Sequence, residues 1–326
     1  MKKILLIVIF TLVSCGNEKE EIDISLALDW YPNSNHAGIY YGIDEGYFEE
    51  KNINIDVYTP SDPASILQTV ASGRDEFGIS YQPDLLLARS EGIPVVAVHS
   101  IVKTPLNSIM TLSSSGIDSP SKLKNKTIGY PGIPLNIGIL SSILEEQDLT
   151  IDEVNLVDVG FDLVPALLSE RVDAIIGAFW SHESILIELE GREVNILKFE
   201  EWGIPKYHEL VLVTSEEYLK NNPETVDDFV DAFSRGYQSS IQNNDASMES
   251  LISAFPEVNV ELETKGIKLL SPLWKESFDS DGMDSWIKFG DWMKDKELID
   301  RNLDVEKSLI KSVSYTHLTL PTNREV

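Results

Sequence analysis

The chain has 326 residues, of which 42% are hydrophobic, 25% charged and 9% aromatic, enough apolar material for a sizeable core and too much for a disordered or collagen-like polymer. Lys+Arg 26 against Asp+Glu 54 leaves a formal net charge of −28, which repels a phosphate backbone and argues against nucleic acid as a partner. The single cysteine, Cys15, excludes an internal disulfide, a cysteine-based zinc cluster and an iron–sulfur centre, because each needs more than one thiolate from the chain.

In chain order, Lys2 and Lys3 precede the apolar run Ile4 to Val13, which is too short to span a bilayer and matches the core of a signal peptide. Leu12-Val13-Ser14-Cys15 resembles the bacterial lipobox, in which the cysteine is acylated and becomes the first mature residue. Residues 1–15 are therefore expected to be a lipoprotein signal peptide with Cys15 lipidated, and residues 16–23 a polar tether. A domain outside the cytoplasm, held to the membrane through a lipid anchor only, follows.

Ile24 to Trp30 alternates in the manner of a strand, and Ala37 to Phe48 carries apolar residues at helical spacing. Ile53 to Tyr58 predicts a strand, Pro63 to Ala71 a helix closed by Gly73, Phe77 to Tyr81 a strand opening into a helix at Asp84 to Arg89, and Val95 to Val102 and Ser108 to Leu112 further strands. A second run of the same kind follows. Thr127 to Tyr130, Val154 to Val159, Ala174 to Phe179 and Val194 to Phe199 predict strands; Asn136 to Gln147, Val164 to Glu170 and His182 to Glu190 predict helices. This order implies two α/β lobes, each with a mainly parallel sheet covered by helices. After a strand at Leu210 to Thr214 the character turns helical, over Pro223 to Asn243, Ala246 to Ala254, Glu263 to Leu270 and Asp284 to Lys296. From Val313 onward a Thr/Leu alternation breaks this pattern and resembles a translated sequencing-library adaptor, so residues 313–326 are set aside as a non-native tail.

Ligands of open α/β sheets bind beyond the carboxyl ends of the strands. The loops expected there are rich in rings and amides: Asp29 to His36, Ser80 to Pro83, Tyr130 to Pro134 and Phe179 to Glu183, with Lys206 to Glu209 at the return crossing. Leu28 to Gly38 (L-D-W-Y-P-N-S-N-H-A-G), Ser80 to Asp84 (S-Y-Q-P-D), Gly129 to Pro134 (G-Y-P-G-I-P), Trp180 with Glu183, and Tyr207 to Val213 (Y-H-E-L-V-L-V) together resemble the bacterial thiamine-pyrimidine precursor-binding lipoproteins. These are solute receptors of ABC importers, similar in fold to the pyrimidine synthases of yeast and bacteria. The resemblance runs in order from about residue 24 to 300.

It implies a type II periplasmic-binding-protein fold: lobe one from residues 24–110 plus 206–312, lobe two from 111–205, and a cleft between them. The hinge would have two crossings, near Asn107 to Thr111 and near Tyr207, and would close around ligand. It further implies an aminopyrimidine ligand of formylaminopyrimidine or hydroxymethylpyrimidine type, an ABC permease and its ATPase as partners, a monomer, and no cofactor. The alternatives are riboflavin or another heterocycle in a receptor of the same superfamily, and, less in keeping with the sequence, a pyrimidine synthase. Against the synthase, its lysine and histidine positions hold Ser80 and Asp84, and its cysteine-rich segment is missing. Without the amine there is no Schiff base.

An aminopyrimidine needs ring faces to stack on and a carboxylate or amide to meet its edge. Trp30, Tyr81, Trp180 and Tyr207 are the candidate stacking rings, with core packing as the competing duty of each. Glu183 is the candidate edge reader, since a carboxylate accepts from an amino group and from a protonated ring nitrogen; its competing duty is that of an acid in a helix's first turn. Asn33, Asn35 and His36 could complement remaining donors and acceptors or serve as turn and cap residues. Gln82 and Glu209 complete the set, and Tyr130 and Gly132 belong to the loop expected to bring backbone amides to the ligand. His99, Trp202, Trp274, Trp286 and Trp292 are expected to pack in the core.

Overall fold

The structure is a computed structural model, which describes residues 21–279 and 282–310. The expected signal peptide, Cys15 and the adaptor-like tail lie outside the described residues. Ile22 and Asp23, expected in the tether, instead begin the first strand, where they pair with Ile53 and Asn54.

The first half alternates as its periodicity predicts: β1 (Ile22–Ala27), α1 (Ala37–Asp44), β2 (Ile53–Tyr58), α2 (Ile66–Ala71), β3 (Phe77–Ser80), α3 (Gln82–Ser90) and β4 (Val95–Val102). There follow β5 (Asn107–Leu112), β6 (Thr127–Tyr130), α4 (Pro134–Glu145), β7 (Asn155–Asp158), α5 (Leu163–Leu168), β8 (Ala174–Phe179), α6 (Glu183–Leu189), β9 (Val194–Lys198) and β10 (Leu210–Ser215). The last part is helical: α7 (Glu216–Asn221), α8 (Pro223–Gln242), α9 (Asn244–Ala254), α10 (Val260–Asp279) and α11 (Met283–Asp295).

Two five-stranded sheets result, ordered β2-β1-β3-β10-β4 and β7-β6-β8-β5-β9. In each, four strands run in one direction while the strand that has just crossed from the other sheet inserts antiparallel to both of its neighbours, β5 between β8 and β9 and β10 between β3 and β4. The first crossing therefore lies between Val102 and Asn107. The stretch 107–111, expected to hold that crossing, is itself a strand of the second sheet, because its apolar residues are buried along their whole length. The inserted strands β5 and β10, together with β3 and β4, are covered on both faces, which is why they read as continuous rather than alternating apolar runs.

Helices α7, α8 and α10 pack against the first sheet, α9 packs on α1, and α11 packs on α3. On α8, Val226, Phe229, Val230, Phe233 and Tyr237 recur at helical spacing and are buried against the sheet and α1. Helices α1 and α8 cross at glycines: a Cβ on Gly236 would overlap the carbonyl oxygen of Gly38. His99 lies buried on β4 with the rings of Phe233 and Phe278 at 5.9 and 5.8 Å. Burial lowers it to about 3, so it is neutral.

Candidate functional site

The carboxyl ends of β1, β3, β6 and β8 face one another across the two crossings and enclose a cavity of about 580 Å³ of atom-free space, its solvent-open mouth included. From the first sheet come Asp29, Trp30, Asn33, Asn35, Tyr81, Pro83 and Asp84; from the second, Pro131, Ile133, Leu135, Asn136, Ile139, Gly177, Phe179, His182 and Glu183; from the crossings, Asn107, Tyr207 and Glu209. No lysine or arginine is among them. Four carboxylates and four aromatic side chains are.

The β1–α1 loop is fixed by its own polar groups. The Asn33 N–H donates to Nδ1 of His36 at 3.2 Å, so that nitrogen is the acceptor and Nε2 carries the proton, which it donates to Asp29 Oδ1 at 2.9 Å. Asp29 Oδ2 accepts from the Tyr81 hydroxyl at 2.9 Å, joining the ends of β1 and β3. Burial, and then the Asp29 charge, hold that phenol well above its ordinary value. Asn33 Oδ1 accepts from both the backbone N–H and the side-chain amide of Asn35, at 2.8 and 2.9 Å, capping the short turn before α1.

The crossings are stapled by Glu209. Its Oε2 accepts from the backbone N–H groups of Leu106 and Asn107 at 2.7 and 2.9 Å and from the Tyr207 hydroxyl at 3.0 Å, and its Oε1 accepts from Asn107 Nδ2 at 2.7 Å. Burial pushes this carboxyl up to about 7 against the pull of those four donors. On the far side of the cavity, Glu183 Oε2 accepts from Phe179 N–H at 2.7 Å and its Oε1 lies 3.0 Å from His182 Nδ1. His182 Nε2 is 3.2 Å from Glu263 Oε1 on α10, whose Oε2 accepts from the Ser34 N–H at 2.6 Å. An unbroken polar chain thus runs from the β1–α1 loop through α10 to α6. Burial opposes a charge on His182, but Glu183 and Glu263 outweigh it and raise the imidazole to about 10, so it is an imidazolium at neutral pH.

Of the candidate residues named from sequence, Trp30, Asn33, Asn35, Tyr81, Glu183, Tyr207 and Glu209 line the cavity. Five do not. His36 is buried behind the loop and positions Asp29. Gln82 is wholly buried and ties α3 to the second crossing, accepting from His208 N–H at 2.9 Å and donating to Trp286 O at 2.8 Å. Trp180 donates its indole N–H to Pro105 O at 3.0 Å and has Lys198 Nζ 4.2 Å above its ring, which turns it toward the first crossing instead of the cavity. Tyr130 packs against the core, and Gly132, at φ +78°, makes the turn by which Pro131 and Ile133 reach the cavity. Asp84, Asn107, Asn136, Phe179 and His182 also line it and were not among the candidates; the position of each at or after a strand end, or beside a crossing, was the available signal.

Comparison with known proteins fits this geometry. A sequence model of the family described as NMT1/THI5 like matches residues 33–247. Over 308 residues the chain is 34% identical to the formylaminopyrimidine-binding protein of Halalkalibacterium halodurans, covering 89% of this chain and 93% of that one. It is 24% identical over 301 residues to the 4-amino-5-hydroxymethyl-2-methylpyrimidine phosphate synthase of Legionella pneumophila subsp. pneumophila, covering 91% and 92% respectively. Among solved structures it superposes, at a TM-score of 0.67 and 17% identity, on the Candida albicans CA3427 gene product, which exhibits the generic periplasmic binding protein fold, over 90% of this chain and 96% of that one. The sheets, the two crossings and the cleft are those of a periplasmic binding protein, and with a family match spanning most of both lobes, the chain belongs to the NMT1/THI5-like family.

Proposed function

We propose that the protein is the extracytoplasmic receptor of an ABC importer, capturing a thiamine pyrimidine precursor of the formylaminopyrimidine or hydroxymethylpyrimidine type between its lobes and releasing it unchanged. The observation that carries this reading is the cavity wall: aromatic rings from both lobes and both crossings, carboxylates between them and no lysine or arginine, in a chain aligned almost end to end with a formylaminopyrimidine-binding protein. Rings supply stacking surface, and carboxylates accept from the amino groups of a flat heterocycle while repelling a phosphate. The same wall argues against synthesis. The positions at which the resemblance expects a lysine and a histidine hold Ser80 and Asp84, and no amine reaches the cavity from which a cofactor aldehyde could be held. A lipid on Cys15 would keep the receptor beside its permease.

A ligand that binds the folded state alone raises the melting temperature, its stabilisation growing with the logarithm of ligand concentration over Kd to about 2.7 kcal/mol at a hundredfold excess. The test is a melting screen of purified protein against formylaminopyrimidine, hydroxymethylpyrimidine, thiamine and riboflavin. The two aminopyrimidines are expected to raise the midpoint by several degrees and riboflavin to leave it in place. Stabilisation by riboflavin alone would refute the ligand assignment.

A further inference from the structure

We infer that the cleft selects its ligand through three acceptors the protein leaves unfilled, Asn35 Oδ1, Asn107 Oδ1 and the Asp84 carboxylate, so that Asp84 and Asn107 are specificity-determining residues that require ring N–H or amino groups and reject a ring carrying oxo groups in their place. This deepens the proposed function and rests on it.

The orientation of both amides is forced. Asn35 Nδ2 donates to Asn33 Oδ1 at 2.9 Å, and that oxygen is itself fixed because Asn33 Nδ2 donates to Tyr31 O at 2.9 Å. Asn107 Nδ2 donates to Glu209 Oε1 at 2.7 Å. Turning either amide over would set oxygen against oxygen. Both Oδ1 atoms are therefore acceptors, both are buried without a hydrogen-bond partner, on residues 2% and 9% exposed, and both residues line the cavity. A buried acceptor left empty is costly, and a ligand donor removes the cost.

The carboxylates point the same way. Asp29, Glu183 and Glu209 are each held by donors from the protein. Asp84, in the first turn of α3, lines the same cavity, and among the described residues no other residue donates a hydrogen bond to it; burial pushes it up to about 7, so it is an acceptor on both oxygens above that pH, where the titrations below are run. A ring whose amino group supplies two N–H donors, with one further donor on a substituent, can satisfy all three sites. An oxo group in place of an amino group sets acceptor against acceptor, a mismatch that costs far more than a missing methyl.

The experiment is calorimetric titration at pH 8.5 of the native chain, Asp84→Asn and Asn107→Leu with two probes, 4-amino-2-methylpyrimidine and its 4-oxo counterpart, which puts an acceptor where the amino donors were and a proton on the adjacent ring nitrogen, with unliganded melting to establish that each variant is folded. Asp84→Asn is isosteric, and its amide can donate to an oxo group. The native protein is expected to prefer the amino probe by about tenfold or more, and each folded variant to lose about tenfold in affinity for it, with the preference narrowing most in Asp84→Asn. Native binding of the amino probe with affinity and preference unchanged in both folded variants would overturn the inference and leave the receptor reading standing. Failure of the native protein to bind either probe would overturn both.

Discussion

Four donors converge on Glu209, from Leu106, Asn107 and Tyr207, and each belongs to one of the two chain crossings. A carboxylate can satisfy them all because both of its oxygens accept; an amide cannot, since its NH2 would face one of the same N–H groups. Glu209→Gln is therefore expected to cost about 2 kcal/mol or more through a buried donor left unmatched, read as a lower denaturant midpoint with an unchanged slope. An unchanged midpoint would remove Glu209 from its role as a staple. At this scale much of the cavity lining was legible in the sequence, because Trp30, Asn33, Asn35, Tyr81, Glu183, Tyr207 and Glu209 sit in strand-end loops where aromatic and amide residues cluster. It could not show which way a ring turns. Trp180 follows β8 just as Trp30 follows β1, yet the carbonyl of Pro105, far away in sequence, takes its indole N–H. Asp84 escaped because, at the start of a helix, it reads as an ordinary first-turn acid.

Helices α6 and α10 meet through the His182 imidazolium between Glu183 and Glu263. Because the native state holds its proton up to about 10, against an ordinary histidine value near 6.5, the clamp's contribution is fully present below about pH 6.5 and is lost as the pH rises through about 10. His182→Gln is expected to be less stable than the native protein by about 3 kcal/mol at pH 6, with the gap closing by pH 10.5. Denaturant midpoints of both proteins at pH 6, 8.5 and 10.5 check this, and a gap constant with pH would contradict it. The α1–α8 crossing makes a second demand, this time steric: Gly236→Ala would drive a methyl into the Gly38 carbonyl, so a loss of about 1–3 kcal/mol is expected in the same assay. The elements themselves were largely legible. The period of 2 or 3.6 located every strand and all the helices except α7, which has no buried residue and so carries no apolar stripe, while α10 runs past its expected end at Leu270 because its interior Pro272 reads as a stop.

Across the whole molecule, among the described residues the two sheets are joined only by segments 103–106 and 199–209, and further contacts bridge the cleft. Trp30 and Tyr31 of the β1–α1 loop pack on Phe161 of the second lobe with ring centroids 4.5 and 4.6 Å apart, beside the His182 and Glu263 clamp. The two-lobed plan followed from the doubled β-α order, whereas the place of the first crossing did not, because an apolar strand gives no sign of the sheet to which it belongs. A cleft of rings and acceptors joined by such contacts is in keeping with the proposed capture of a flat nitrogen heterocycle. The most direct test is to incubate the purified protein with formylaminopyrimidine, weigh the intact complex by native mass spectrometry, then denature it and weigh what is released. One ligand per chain, recovered at its starting mass, is the predicted result; an empty protein, or a released molecule of changed mass, would contradict the account.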